Sequence, residues 1–277
     1  MLLGVNCSVS GGLEHAFEEA RTLGIDTFQI FTRNQRQWKA KPISEEEKKA
    51  FAAAWADNQQ VKVIFSHASY LINLASADHE LRSKSIAGFT EEVIRCHELG
   101  LAYTVLHPGA AGESSEEEAM ERIADSLKKV VQETHGSQVK ILLENTAGQG
   151  SHVGYKFEHI RNIMDLTGSD RIGTCFDTCH AFAAGYNIAT EEGFHKTWQD
   201  FDHIIGLSKL HAIHLNDSKG DLASRLDRHE HIGKGKIGTL AFKLMMKKFQ
   251  HIPKVIETDE ENNMDEVNIK LLRELAS

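Results

Sequence analysis

The chain has 277 residues, of which 41% are hydrophobic and 26% charged, with a net charge of −9. That composition supports one large core and excludes a disordered or low-complexity protein. The acidic balance argues against a protein that coats nucleic acid non-specifically, although a site holding several divalent cations would restore positive charge locally.

The opening MLLGVNCSVS has no basic n-region and no long apolar stretch, so neither a signal peptide nor a transmembrane segment is expected. Strand 2–7 leads to helix 12–24, and strand 27–32 to helix 44–59, where Ser44 and Glu47 form a capping box. Strand 61–67 precedes a helix over 77–99. Strand 103–107 precedes helix 115–134, with Ser115 and Glu118 in a second capping box. Strand 139–144 leads to helix 156–167, and strand 172–177 to a helix near 191–205. Strand 210–215 is followed by a long loop and helix 239–250, and strand 254–258 by helix 264–275. Short apolar runs alternating with amphipathic segments mean parallel strands with helical crossovers. Eight such units in a chain near the usual length of about 250 residues predict one α/β domain over 1–277, a (β/α)₈ TIM-type barrel. No G-x-G-x-x-G follows the first strand and no Walker A sequence occurs.

Six strand-like runs end in a metal-ligand type of residue: VKVIFSH in His67, AYTVLH in His107, VKILLE in Glu144, IGTCFD in Asp177, LHAIH in His214 and PKVIE in Glu257. If these point into the barrel, so do Val63, Phe65, Val105, Leu142, Cys175, Ala212 and Val255, which are small or apolar as barrel-filling residues should be. The ionisable groups then crown an apolar core at the C-terminal face of the strands, where barrel active sites lie. Burying them together without counter-charge would be prohibitive, so cations are expected. Asp177-x-x-His180 adds a ligand on the loop after its strand, and Asp227-x-His229 adds a chelating pair, preferred to His231 for its tighter spacing. Five histidines and four carboxylates suit two or three ions, Zn²⁺ first, with Mn²⁺ or Fe²⁺ as substitutes. Such a centre hydrolyses phosphoesters or similar bonds, and Glu144 is placed to bridge metals and orient the nucleophile.

The other residues of these types take plainer readings. His15, His79, His97, His135, His159, His195 and His203 fall on helices or their ends and read as surface residues. His211 has the wrong strand parity and lies too early in its strand to reach the site. The acidic runs Glu45–Glu47 and Glu116–Glu118 read as solvated helix faces. The four cysteines lack paired CxxC spacings, which suits reduced thiols in a cytoplasmic protein; Cys175 and Cys179, flanking Asp177, read as buried small residues rather than ligands.

Three segments carry a resemblance: HASYLINLA from His67, GTCFDTCH from Gly173 to His180, and HLNDSK from His214. With His107-Pro108-Gly109, Glu144-Asn145-Thr146-Ala147-Gly148 and Asp227-Arg228-His229-Glu230, they resemble the endonuclease IV family of zinc-dependent AP endonucleases, in order along the whole chain. The resemblance implies three zinc ions. His67 and His107 would hold one. Glu144 would bridge it to a second, completed by Asp177, His214 and Glu257, while His180, Asp227 and His229 would hold the third. It implies hydrolysis of the phosphodiester 5′ to an abasic site in double-stranded DNA, leaving a 3′-hydroxyl, by a monomer with no membrane association. It also implies that Arg36, Tyr70 and Leu71 penetrate the duplex at the lesion, where lost stacking makes flipping cheap. One departure is visible: Ala223 stands where the family usually has Gly, in the loop before Asp227. The alternative reading, a sugar isomerase-like or epimerase-like barrel, also places such ligands on strand ends, but it needs fewer of them and gives the Arg33-Asn34-Gln35-Arg36 loop no task.

Overall fold

Eight parallel strands carry the chain in the computed structural model, which describes residues 1–258 and 263–277. In chain order the strands are β1 (Leu3–Val5), β2 (Thr27–Ile30), β3 (Val63–His67), β4 (Tyr103–Leu106), β5 (Lys140–Glu144), β6 (Ile172–Asp177) and β7 (Leu210–His214), with β10 (Lys254–Ile256) the last of them. Their order in the sheet is β1-β10-β7-β6-β5-β4-β3-β2. The two ends meet: Asn6 bridges Gln29, and Cys7 N donates to Gln29 O at 2.8 Å, so the sheet closes on itself. Gly4 permits that closure, because a Cβ there would lie 1.7 Å from Thr27 O. This is the expected (β/α)₈ barrel.

The helices between the strands are α1 (Ala16–Leu23), α2 (Glu45–Asp57), α3 (His79–Glu98), α4 (Glu116–Glu133), α5 (Phe157–Thr167), α6 (Thr178–Ala184), α7 (Glu191–Ile204), α8 (Thr239–Lys248) and α9 (Met264–Ala276). Both capping boxes form, at Ser44/Glu47 and at Ser115/Glu118. Among the described residues, no helix is long and apolar enough to cross a membrane.

Strand parity sorts the core as expected. Phe65, Val105, Leu142, Cys175, Ala212 and Val255 fill the barrel, and a larger layer packs between strands and helices. His211 stays out of the ligand groups as expected, because it lies too early in its strand, although its side chain does not keep the expected parity. The β6–β7 register shifts so that Leu210 pairs with Thr174 but Ala212 with Cys175, which leaves His211 as an extra residue. Its ring stacks on Tyr103, which packs against the barrel filling, with ring centroids 5.5 Å apart. The space is left by Gly173, whose Cβ would lie 2.4 Å from His211 Cδ2. His211 therefore turns inward at the opposite end of β7 from His214. Burial and the nearby Lys140 and Lys209 push its imidazole down to about 4, so it is neutral.

Two elements were not expected. The residues after β6 form α6 rather than a loop, and Asp177 caps that helix by accepting from His180 N at 2.7 Å. The long loop after β7 contains a two-stranded antiparallel hairpin, β8 (Asp217–Ser218) with β9 (His229–Glu230).

Candidate metal centre

Six of the eight strands deliver a ligand-type side chain, at or just after their ends, to one place. His67, His107 and Glu144 bring one ligand atom each within 4.8 Å of one another. Glu144, Asp177, His214 and Glu257 form a second such group, and His180, Asp227 and His229 a third. Glu144 belongs to two groups: its Oε2 lies 3.1 Å from His67 Nε2 and 3.2 Å from His107 Nε2, and its Oε1 lies 2.9 Å from His214 Nδ1. Glu144, Asp177, His180 and His214 are buried, whereas Asp227 and His229 are partly open to solvent.

The other faces of these imidazoles show which nitrogen is free. His67 Nδ1 lies 2.7 Å from Ala68 O, and His180 Nδ1 lies 3.0 Å from Asn145 O. A carbonyl can only accept, so both Nδ1 atoms carry the hydrogen and each Nε2 turns a lone pair inward. Gln29 acts likewise on His214. Its Nε2 donates to Glu257 Oε1 at 2.6 Å, which turns its Oε1 to accept from His214 Nε2 at 2.9 Å and leaves His214 Nδ1 facing the site. Asn216 Nδ2 donates to Asp177 Oδ2 at 2.6 Å and to Glu257 Oε2 at 3.2 Å. Partners of this kind fix the tautomer and orientation of metal ligands.

These contacts test whether metal fits. In the neutral tautomers above, lone pairs meet acceptor-only carboxylates: His67 Nε2 meets Glu144 and His180 Nε2 meets Asp227 Oδ1 at 3.1 Å, while His229 Nε2 lies 3.4 Å from His180 Nε2. Without extra protons on the rings, the arrangement requires cations between them. Two ligand atoms about 2.0–2.2 Å from a shared tetrahedral zinc stand roughly 3.3–3.6 Å apart, close to these separations. Where no cation lies between them, protons on the rings take its part. Burial pushes the Glu144 carboxyl up, but His214, His107 and His180 outweigh it and hold the group well below its ordinary range. Burial lowers His180 and His214, yet Asp177 and Asp227 for the first, and Cys175, Glu257 and Glu144 for the second, raise both well above theirs. Burial dominates at Asp177 and raises it despite His180 and His229.

Cys179 also lies within reach of Asp177 and His229. Burial pushes its thiol up to about 12, and its Sγ donates to Arg228 O at 3.6 Å, so it stays protonated and packs as a small residue. Cys175 sits in the barrel filling beneath His214. His231 turns away to Thr258 Oγ1 at 3.1 Å, which leaves His229 as the member of the third group.

The hairpin loop that carries Asp227 and His229 hangs on a residue of the His214 segment. The buried Asp217 carboxylate accepts from Ser218 N, Gly233 N, Gly235 N and Ile237 N at 2.8–3.1 Å. Gln149 Oε1 accepts from Asp227 N at 2.9 Å. Ala223 adopts φ +62°, the left-handed conformation that a glycine there would take without strain. Two plainer readings also change. His159 is buried rather than on the surface, and its Nε2 lies 3.2 Å from Glu116 Oε2. Glu116 is therefore not merely solvated; it also accepts from Tyr155 Oη at 2.6 Å.

Above the ligand groups, Tyr70 is 62% exposed yet packs its ring 5.4 Å from His67 and 6.0 Å from His107. A cavity of about 330 Å³ runs between Tyr70, Asn73, His107, His152 and Asp227. A second, of about 550 Å³, lies beside Asn6, Ser8, Phe31, Gln35 and Arg36. Arg36 is exposed and Leu71 half-buried. Gln29, Asn216 and Asp217 were missed in the sequence; the signal for Gln29 was a polar side chain at an inward position of a buried strand.

The profile of xylose isomerase-like TIM barrels matches residues 17–275. A probable endonuclease 4 from Geotalea daltonii is 46% identical over 279 residues, covering 99% of this chain and 98% of its own. The crystal structure of endonuclease IV from Thermus thermophilus superposes with a TM-score of 0.88 at 32% identity, covering 99% and 98% of the two chains. A D-tagatose 3-epimerase-like protein shares the fold, with a TM-score of 0.75 at 23% identity over 99% and 97%.

Proposed function

The chain belongs to the endonuclease IV family, and from that premise we propose that it is an AP endonuclease of base-excision repair, cutting the backbone of duplex DNA 5′ to abasic sites. It would leave a 3′-hydroxyl and act as a one-domain, cytoplasmic monomer. The observation that carries the metal chemistry is the convergence of nine ligand-type side chains into three adjoining groups, two of which share Glu144.

The chemistry of the donor set favours zinc, with Mn²⁺ or Fe²⁺ as substitutes. His67, His107 and Glu144 would hold one ion, Glu144, Asp177, His214 and Glu257 the second, and His180, Asp227 and His229 the third. When bound, the ions supply Lewis acidity: they lower the pKa of water and offset charge on the phosphoryl and leaving oxygens. Three dications bring +6 against four carboxylates, so the mouth of an acidic protein carries about +2 where a phosphate docks. Glu144, common to two groups, would help hold both ions and orient the attacking water. Gln29 and Asn216 hold the carboxylates and His214 in register. Tyr70 and Leu71 would fill the gap at the lesion from one side and Arg36 from the loop after β2, an assignment supported by the exposed ring of Tyr70 standing over the site histidines.

The test is to count metals in the purified protein and offer it a duplex with one abasic analogue. Incision 5′ to the analogue is expected. A metal-replete sample that leaves the duplex intact and instead interconverts free ketoses would establish the epimerase reading.

A further inference from the structure

The loop between β2 and α2 carries Arg36 at its tip, and it is held by an arginine on α3 that belongs to none of the metal groups. Arg95, on α3, is buried. Its Nε donates to Thr32 Oγ1 at 3.0 Å, its Nη2 to Thr32 O, and its Nη1 to Lys41 O at 2.8 Å. One guanidinium thus grips both ends of the loop, at residue 32 and at residue 41. Its charge is balanced through the Thr32 hydroxyl, which donates to the buried Glu92 at 2.9 Å. Glu92 is in turn fixed to β3 by Ser66 Oγ at 2.8 Å.

The loop is stiffened further inward of its tip. Arg33 Nη1 meets Glu91 at 2.9 Å, and Arg33 Nη2 donates to Gly88 O at 2.8 Å. Trp38 lies against the same turn of α3, with Lys84 Nζ 4.6 Å from its ring centroid. At the tip, Arg36 N donates to Asn34 Oδ1 at 2.9 Å, and Ser69 Oγ donates to Gln35 O at 2.6 Å. Ser69 immediately precedes Tyr70, so the two loops facing the duplex are tied to each other. Burying two arginines and a glutamate carries a desolvation cost that an apolar packing would avoid. What the arrangement provides is one fixed height for Arg36 over the site.

We propose that Arg95 is a positioning residue for lesion recognition, holding the Arg36 loop in its binding geometry by clamping both ends. The proposal rests on the assignment of Arg36 as a duplex contact. Lysine cannot replace the clamp, because one ammonium on a flexible stem does not reach three oxygens set in the plane of a guanidinium.

The experiment is a double-mutant cycle on an abasic-analogue duplex, with Arg36→Ala, Arg95→Lys and the pair, each metal-loaded and its metal content measured. Arg95→Lys is expected to raise KM about tenfold while kcat at saturation stays within about twofold, because a displaced contact weakens binding more than chemistry. In the Arg36→Ala background the second change should add almost nothing, since the two residues act as one unit. Should Arg95→Lys fold poorly, Thr32→Val, which removes the hydroxyl linking Arg95 to Glu92 and no charge, takes its place in the cycle with the same expectation. Arg36→Ala with unchanged KM would remove the assignment of Arg36 and the clamp's purpose with it. An impaired Arg36→Ala beside a wild-type-like Arg95→Lys would overturn the clamp alone. Fully additive losses, or a fall in kcat with lost metal, would mark general damage and overturn it as well.

Discussion

Gln29→Leu is the sharpest test of how the barrel prepares its ligands. Gln29 is buried, and its amide makes three contacts: to Glu257 Oε1 at 2.6 Å, to Asn6 Oδ1 at 3.3 Å and from His214 Nε2 at 2.9 Å. Leucine fills much the same volume but removes all three. His214 then has no acceptor for its Nε2 hydrogen, and the tautomer that turns Nδ1 to the site loses its preference. Glu257 loses a donor and gains freedom to rotate. A hydrogen bond to a charged group contributes about 1.5–3 kcal/mol, which is roughly tenfold to a hundredfold in an equilibrium constant and agrees with the range seen when outer partners of metal ligands are removed. The loss should be local. The group of Glu144, Asp177, His214 and Glu257 should bind its ion 10- to 100-fold more weakly by competitive chelator titration, while the His67–His107 group keeps its affinity, because its orienting contact is Ala68 O. Incision should fall in step with occupancy and recover at raised zinc. A Gln29→Leu protein that holds every ion with wild-type affinity would refute the reasoning, as would uniform weakening of all three groups.

Four further outcomes are expected. Glu144→Gln keeps the shape but removes the charge shared by two groups; incision should fall by orders of magnitude with the circular dichroism spectrum unchanged, and wild-type-like incision would contradict the bridging role. Asp217→Ala strips the acceptor from four backbone N–H groups; urea unfolding should show a loss of about 3 kcal/mol or more, with the ion of the His180–Asp227–His229 group lost first. Ala223→Gly relieves a left-handed alanine at φ +62° and should stabilise by about 0.5–1 kcal/mol in the same assay; a destabilised variant would show that the strain is not stored there. Lys254 is buried, and burial pushes its amine down to about 8 although Asp26 opposes this. Its charged form is therefore disfavoured in the folded state. Between pH 8 and the unfolded value near 10.5, the unfolded chain holds the extra proton, so stability should rise with pH by at most about 3 kcal/mol relative to Lys254→Met; a difference between the two proteins that stays flat across that window would refute this.

The barrel and its nine ligand-type residues were legible because parallel strands all end at one face, so residues far apart in sequence had to converge. The inward set from Val63 to Val255 followed from period-two alternation alone. That same rule failed at His211, since a bulge adds one residue to β7 and leaves no mark in LHAIH. Helix α6 was hidden because DTCHAFAAG is small and buried on most sides, which erases the 3.6-residue periodicity. The hairpin strands are two residues each, too short for any pattern. Gln29, Asn216 and Asp217 escaped for a different reason. Their task is to hold ligands or a loop rather than metal, and neither an amide nor a loop aspartate announces that role from its neighbours in sequence.

The Asp217 anchor divides the centre into parts of unequal stiffness. Glu144, His67, His214 and their neighbours ride on strands that cannot move without opening the barrel. Asp227 and His229 ride on the loop and short hairpin after β7, tied by the Asp217 carboxylate, by Gln149 and by backbone bonds such as Lys219 N to Arg228 O at 3.0 Å. Metal held by the His180–Asp227–His229 group should therefore leave first under a chelator, before any held by the strand-borne groups. Where metal runs short, that order would make the hairpin group the first to empty, and activity would fall well before the protein itself was lost.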